Sequence, residues 1–282
     1  LSVNYEVSAE GIARITLDRV EKRNAQDTDL LYSLNECFDR AAHDDEVRVI
    51  VLKANGAHFS SGHDMNEPDK IGAMSRWETV GTWCGFSCSD IEAQMGRERE
   101  MYLGFSERWR NIPKPTIAQV QGAVVAGGLM LVWPCDIIIA GESAYFQDTT
   151  IDMAVAGAEF FHHPWEVGVR RAKEMLFTGE PVTAREALDL GMVTRVVADD
   201  ELAATVQELA SVIARKPPFA LKLVKQAVNA AQDAQGRPAA LETSFALHQL
   251  SHAENLLKHG RLVDPQFFTG SRSGLKPSAP AP

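Results

Sequence analysis

The stretch Val120–Asp148, VQGAVVAGGLMLVWPCDIIIAGESAYFQD, decides how this chain is read. Two apolar runs flank Gly127-Gly128, and charge is almost absent before the end of the stretch. Paired glycines between segments that read as buried do one of two things. They ease a tight packing contact, or they bring bare backbone N–H groups up to a ligand. The residues before them, PTIAQVQG, read as a strand; a helical stretch begins near Gly127 or Gly128; CDIIIAG is the next strand.

Working outward, NYEVSAEGIARITLDR reads as two strands around Glu10-Gly11. The stretch TDLLYSLNECFDRAAHDD has apolar residues at helical spacing, with Thr28 or Asp29 as its cap. A buried strand, VRVIVLKANG, follows. The segment Glu67 to Asn111 is long and mostly polar, but Ile91, Met95, Tyr102, Phe105 and Trp109 share one helical stripe, with Arg97 to Glu100 expected on the opposite, solvated face. Toward the C-terminus, Thr183 and Glu186 form a capping box, Gly191 stops that helix, and a strand follows. The chain is then helical to about His259, with Pro217-Pro218 opening one helix. Strands alternating with helices define an α/β protein with crossover connections. The expected division is a core over 1–200, a helical region over 201–268 and a disordered tail over 269–282.

Composition removes several classes of function. A net charge of -10 over 282 residues argues against an electrostatic grip on nucleic acid. No apolar run reaches the ~18 residues of a membrane span. The N-terminus lacks a basic-then-apolar leader pattern, and the four cysteines are sparse, which suits reduced thiols in the cytoplasm. Cys84 and Cys88 have half a metal-site spacing but no second pair, so no metal is expected.

Two strand-to-helix junctions stand out: ANGAHFSSGHDM (Ala54 to Met65) and QGAVVAGGLML (Gln121 to Leu131). On neighbouring strands they would aim two N–H groups and a helix N-terminus at one point, a geometry suited to an oxygen that gains negative charge. Close packing alone is the competing account of the same glycines.

These junctions resemble those of the crotonase superfamily, the enoyl-CoA hydratase/isomerase family. HFSSGHDM is similar to the family's F-S-A-G-A-D-L, and PKPTIAQVQGAVVAGGLML to its K-P-x-I-A-A-V-N-G-x-A-x-G-G-G-x-x-L. LDRVEKRNAQ, CDIIIAGESAYF and RRAKEMLFTGEPVTAREALDLGMVTRVV resemble three further family segments, in order. The resemblance implies a spiral of repeated β-β-α units with a helical C-terminal region that makes trimers or hexamers. It implies an acyl-CoA thioester as substrate, with coenzyme A part of that substrate and no separate cofactor. It also implies that the N–H groups of His63 and Gly127 hold the thioester oxygen, with Gly128 allowing close approach of the helix start. Arg23, Asn24 and Ala25, and the loop Ser61, Gly62, Asp64 and Met65, are where it implies the coenzyme is bound.

The chain departs from the family where hydratases carry two glutamates. Those places hold Met130 and Thr150, and neither side chain serves as a carboxylate base. Glu159, thirteen residues after Phe146, is the first candidate base, with its pKa raised by apolar neighbours, against a carboxylate that only satisfies N–H groups at a helix N-terminus; Asp152 is the second candidate. Asp148 caps the loop in this reading, and His162 and His163 are surface or interface residues. Trp77, Trp83, Phe86, Met95 and Trp109, in a segment longer than a short-chain hydratase needs, suggest a lid over a bulky acyl group or, equally, packing against a neighbouring subunit. An enolate-forming hydratase or isomerase is the first reading. A hydrolase or C–C lyase on the same fold, and a CoA-ester-binding protein without hydratase activity, are the others.

Overall fold

A computed structural model describes residues 2–87 and 90–269. The strands are β1 (Val3–Val7), β2 (Ile12–Leu17), β3 (Val49–Ala54), β4 (Thr116–Val120), β5 (Ala123–Val125), β6 (Ile137–Gly141), β7 (Tyr145–Gln147), β8 (Val182–Thr183) and β9 (Arg195–Val197). Six form one sheet in the order β1-β2-β3-β4-β6-β9, parallel except for the β1–β2 hairpin. The other three form a small sheet, β5-β7-β8. A single bridge from Ser60 to Val124 extends it on the β5 side. Thus β3, β4 and β6 each run through the large sheet, and the chain then turns into or against the small one. This repeated turn is the expected spiral of strand–strand–helix units.

The helices are α1 (Thr28–His43), α2 (Lys70–Met74), α3 (Ile91–Glu98), α4 (Phe105–Arg110), α5 (Leu129–Val132), α6 (His163–Thr178), α7 (Ala184–Leu190), α8 (Leu202–Ala214), α9 (Pro218–Asp233) and α10 (Arg237–His259). The cap of α1 is Asp27, one residue earlier than expected, whose carboxylate accepts from Leu30 N at 2.9 Å. Thr183 caps α7 as the capping box requires, and Gly191 ends it in the left-handed region. Leu202, Val206 and Ala210 of α8 pack on Ile12, Val49, Val51, Ile117 and Ile139, on one face of the large sheet. The helical region is therefore continuous with the core across the boundary expected at residue 200. Thr269 ends a short 3₁₀ turn; the rest of the expected tail lies outside the described residues.

One expected helix is not regular. A π-helical turn over Arg99–Gly104 separates α3 from α4. Its supposed solvated face is buried: Glu98 is 4% and Glu100 3% exposed. The preceding loop folds over it, and the Glu100 carboxylate accepts from Val80 N and Gly81 N. Glu98, at the end of α3, is covered by Gln249, His248 and His252 of α10.

His162 and His163 are also buried rather than on the surface. His163 Nε2 lies 2.8 Å from Asp148 Oδ2, and His162 Nδ1 lies 2.6 Å from Glu166. Asp148 also accepts from the N–H and hydroxyl of Thr150 and from Ala158 N, so it pins both ends of the loop leading to Glu159. Burial pushes the Asp148 carboxyl up, but His163 and Thr150 outweigh it and hold the group at about 2. A carboxyl depressed from 3.8 stabilises the fold above its unfolded value and loses that contribution as pH falls through about 2. Urea unfolding between about pH 5 and pH 2 should show a loss of about 2 kcal/mol from this group. In Asp148→Asn that part of the acid dependence should vanish, with lower stability at neutral pH.

Candidate active site

The two glycine junctions meet. A Cβ on Gly62 (φ +93) would lie 2.8 Å from Val125 O and 3.4 Å from Gly127 N, so only glycine fits there. Beside it, residues 23–26 zip onto 61–64 through Ser61 N to Arg23 O (3.0 Å), Gln26 N to Gly62 O (2.8 Å) and Asp64 N to Gln26 O (2.8 Å). Asn24 is a buried strut within this zip, donating to the carbonyls of Asn55 and His58. Asp64 pairs with Arg19 at 2.9 Å. Arg23 and Met65 are exposed at the edge of the same segment.

The zip carries the His63 imidazole over Gly127. A Cβ on Gly127 would lie 2.5 Å from His63 Cε1, so the bare Cα makes room for the ring. Tyr102 stacks on the ring at a centroid distance of 3.8 Å. Gly128 serves a different purpose: a Cβ there would lie 2.9 Å from Ser60 O, so its absence lets the helix start approach the backbone at Ser60. Gly127 is the second residue of the 3₁₀ turn Ala126–Gly128, where backbone N–H groups lack partners within the turn. Among the described residues, neither His63 N nor Gly127 N enters a loop, turn or cap hydrogen bond.

A cavity of about 250 Å³ opens here, bordered by Ser61, His63, Met65, Gly127, Thr150 and Glu159 among others. Glu159 Oε2 is 3.3 Å from His63 Nε2, and its Oε1 is 3.5 Å from His248 Nε2. Burial pushes the Glu159 carboxyl up, as expected from its apolar neighbours, but the charges of His63 and His248 outweigh burial and the net shift is downward. Asp152 does not border the cavity. It sits on the outer side of the turn Thr150–Met153, with Oδ2 3.6 Å from where a Gly179 Cβ would be, while Thr150 and Met153 face inward. Met130 is fully buried, and the Thr150 hydroxyl is bonded to Asp148.

The five residues expected as a lid lie elsewhere. Trp109 is core, bonded to Asn35; Trp77 stacks on Tyr32; Trp83 is exposed; Phe86 and Met95 pack against the core cluster. Their segment reaches the cavity through polar side chains instead: Lys70, Gln94, Glu98 and Tyr102.

Three cavity residues escaped the sequence reading: Glu98, His248 and His252. His248 and His252 share one face of α10, and each approaches a different oxygen of Glu98, at 3.3 and 3.2 Å. Burial lowers the His248 imidazole, but Glu159 and Glu98 outweigh it and hold it at about 9. Glu98 is held well below the usual carboxylate range against the opposing effect of burial, by His248 and His252. The spacing H-x-x-x-H on a helix was the available signal.

The sequence profile of the enoyl-CoA hydratase/isomerase family matches residues 8–80 and 87–264. The chain belongs to that family. It is 44% identical over 256 residues to EchA13 of Mycobacterium tuberculosis, covering 89% of this chain and 80% of that one. It is 31% identical over 230 residues to 4-chlorobenzoyl coenzyme A dehalogenase-2 of Arthrobacter sp, covering 80% and 78%. The crystal structure of a probable enoyl-CoA hydratase from Mycobacterium thermoresistibile superposes with a TM-score of 0.85 at 46% identity, covering 93% of this chain and 99% of that one.

The two glycines should respond differently to alanine. At Gly128 the obstacle is backbone, so Gly128→Ala should cost about 1–3 kcal/mol in urea unfolding. At Gly127 the obstacle is a side chain that can rotate. Gly127→Ala should cost less stability but separate His63 from Glu159, visible as a changed imidazole environment by NMR.

Proposed function

We propose that this chain is an acyl-CoA enzyme that stabilises a thioester enolate. The carbonyl oxygen would accept from His63 N and Gly127 N, and Glu159 would take the α-proton. The observation that carries this reading is the chain of contacts Gly127–His63–Glu159 beside a single cavity, with no loop, turn or cap hydrogen bond found for the N–H of His63 or Gly127 among the described residues. A thioester is a poor resonance donor, so its α-proton can be removed once the enolate oxygen is held; one such donor is typically worth about 10²–10³ in rate. The histidines keep Glu159 ionised near neutral pH, the state a base requires. Arg23, Asn24 and Ala25, zipped to Ser61–Met65, would bind the coenzyme. The polar roof of Lys70, Gln94, Glu98 and Tyr102 supports an acyl group larger than crotonyl and bearing a polar end. Such a substrate, with free cysteines in the chain, suits the cytoplasm.

A second reading, hydrolysis, C–C cleavage or ester binding without hydration, is favoured by the buried Met130 and the committed Thr150, where family hydratases carry glutamates. The relation to a coenzyme A dehalogenase supports chemistry other than hydration.

In deuterated water the wild type should exchange the α-protons of a panel of alkyl and aryl acyl-CoAs, while hydrating crotonyl-CoA slowly. Glu159→Gln should lose at least about 10²-fold of the exchange rate with acyl-CoA binding nearly unchanged. Undiminished exchange in Glu159→Gln would remove the residue from this role; no exchange in wild type would favour the second reading.

The same proposal includes a trimer or a pair of trimers. Leu241 and Phe245 are used within the chain, but Phe219, Leu223, Val224, Leu247 and Leu250 are 48–69% exposed on α9 and α10. Light scattering at micromolar concentration should give a mass of three or six chains; a stable monomer would refute this part.

A further inference from the structure

We propose that Glu98, His248 and His252 bind one divalent transition-metal ion of the zinc class, with a coordination position open to the cavity that also holds His63, Gly127 and Glu159. This goes beyond the acyl-CoA reading and does not depend on it.

His248 Nδ1 is 2.7 Å from Gly157 O, and His252 Nδ1 is 2.7 Å from Leu262 O. A carbonyl only accepts, so each Nδ1 carries the hydrogen and each Nε2 is left to face Glu98. The Nε2 atoms are buried, lie 3.3 and 3.2 Å from the Glu98 oxygens, and still make no hydrogen bond of acceptable geometry. Either protons or a metal cation must sit between the two Nε2 atoms and the carboxylate, and a bound metal ion displaces such protons. Among the described residues, neither Nε2 has a hydrogen-bond partner of good geometry, which favours the metal cation.

An ion among these atoms is the alternative, reached by a small closing of the cluster. Ligands about 2.0–2.1 Å from a tetrahedral ion stand about 3.4 Å apart. One ligand atom from each of the three residues lies within 4.8 Å of the others. Two imidazoles and one carboxylate, with no thiolate, suit Zn²⁺, Co²⁺ and their neighbours rather than Mg²⁺ or Ca²⁺. The supports that metal ligands need are also present. The backbone carbonyls fix both imidazole tautomers, and Gln94 and Gln249 each donate an amide N–H to one Glu98 oxygen.

Charge points the same way. Glu98 and Glu159 are two buried carboxylates, 4% and 5% exposed, within reach of three imidazoles. One divalent ion would neutralise both. Three protein ligands leave a fourth position for an oxygen: water, or a carbonyl or carboxylate on the acyl group.

The test uses the intact protein, stripped with a chelator and dialysed, with metal alone as the probe. Calorimetric titration with Zn²⁺ should give one ion per chain with micromolar or tighter affinity. Co²⁺ should give the visible absorption of a four- or five-coordinate ion. His252→Gln and Glu98→Gln should weaken binding at least about 100-fold, and Gln249→Ala about 10–100-fold. His43→Ala, on the exposed end of α1, should change nothing. Circular dichroism establishes that each variant is folded. If the ligand variants fail to fold, the wild-type cobalt spectrum and the Gln249→Ala affinity still decide. Absence of stoichiometric binding by wild type, or wild-type affinity in folded His252→Gln, overturns the proposal and leaves the cluster as an imidazolium–carboxylate network. Because no acyl-CoA is present, this outcome is separate from that of the proton-exchange experiment.

Discussion

The contact of the Gly62 loop with the turn at Val125–Gly127 is the constraint from which the rest of the site follows. Two backbones cannot approach this closely with a side chain between them; the Cβ that Gly62 lacks would be 2.8 Å from a carbonyl. That approach zips residues 23–26 onto 61–64 and swings His63 over Gly127. Tyr102 and Glu159 then hold the ring from two directions. The glycines thus act on both accounts that the motif allows. Gly128 permits packing, and Gly127 leaves room at the surface where chemistry would occur.

Around this contact the molecule buries more charge than a structural core needs. Removing an ion from water costs several kcal/mol even after relaxation, so Glu98 and Glu159 persist only because imidazoles and amides surround them. The groups come from distant parts of the chain: α3, the loop after β7 and α10. His248 ties α10 to Gly157 O, and Asn255 ties it to the carbonyls of Met153 and Ala154. The C-terminal helix is therefore a wall of the site as well as a candidate assembly surface. Asp148, though near in sequence, is spent on holding the loop, which separates it from the carboxylate eleven residues later that faces the cavity.

The chain by itself determined the α/β alternation, the two junctions, the capping box and the family. Each of these is written in local signals: apolar periodicity, glycine at fixed offsets, and Thr183 three residues before Glu186. The place of Glu159 beside the cavity was also legible, because it lies a countable distance beyond a motif. The sequence could not show that burial of Glu159 would be outweighed, since the histidines doing so are 96 and 89 residues away. Nor could it show that Arg97–Glu100 faces inward. Packing by α10 over Glu98 and by the loop at Val80–Gly81 over Glu100 reversed the face that helical periodicity assigned. Tertiary structure alone brought Glu98 to His248 and His252, because the side chains that meet in a buried charge cluster are chosen by packing across the fold, and sequence separation carries no record of it.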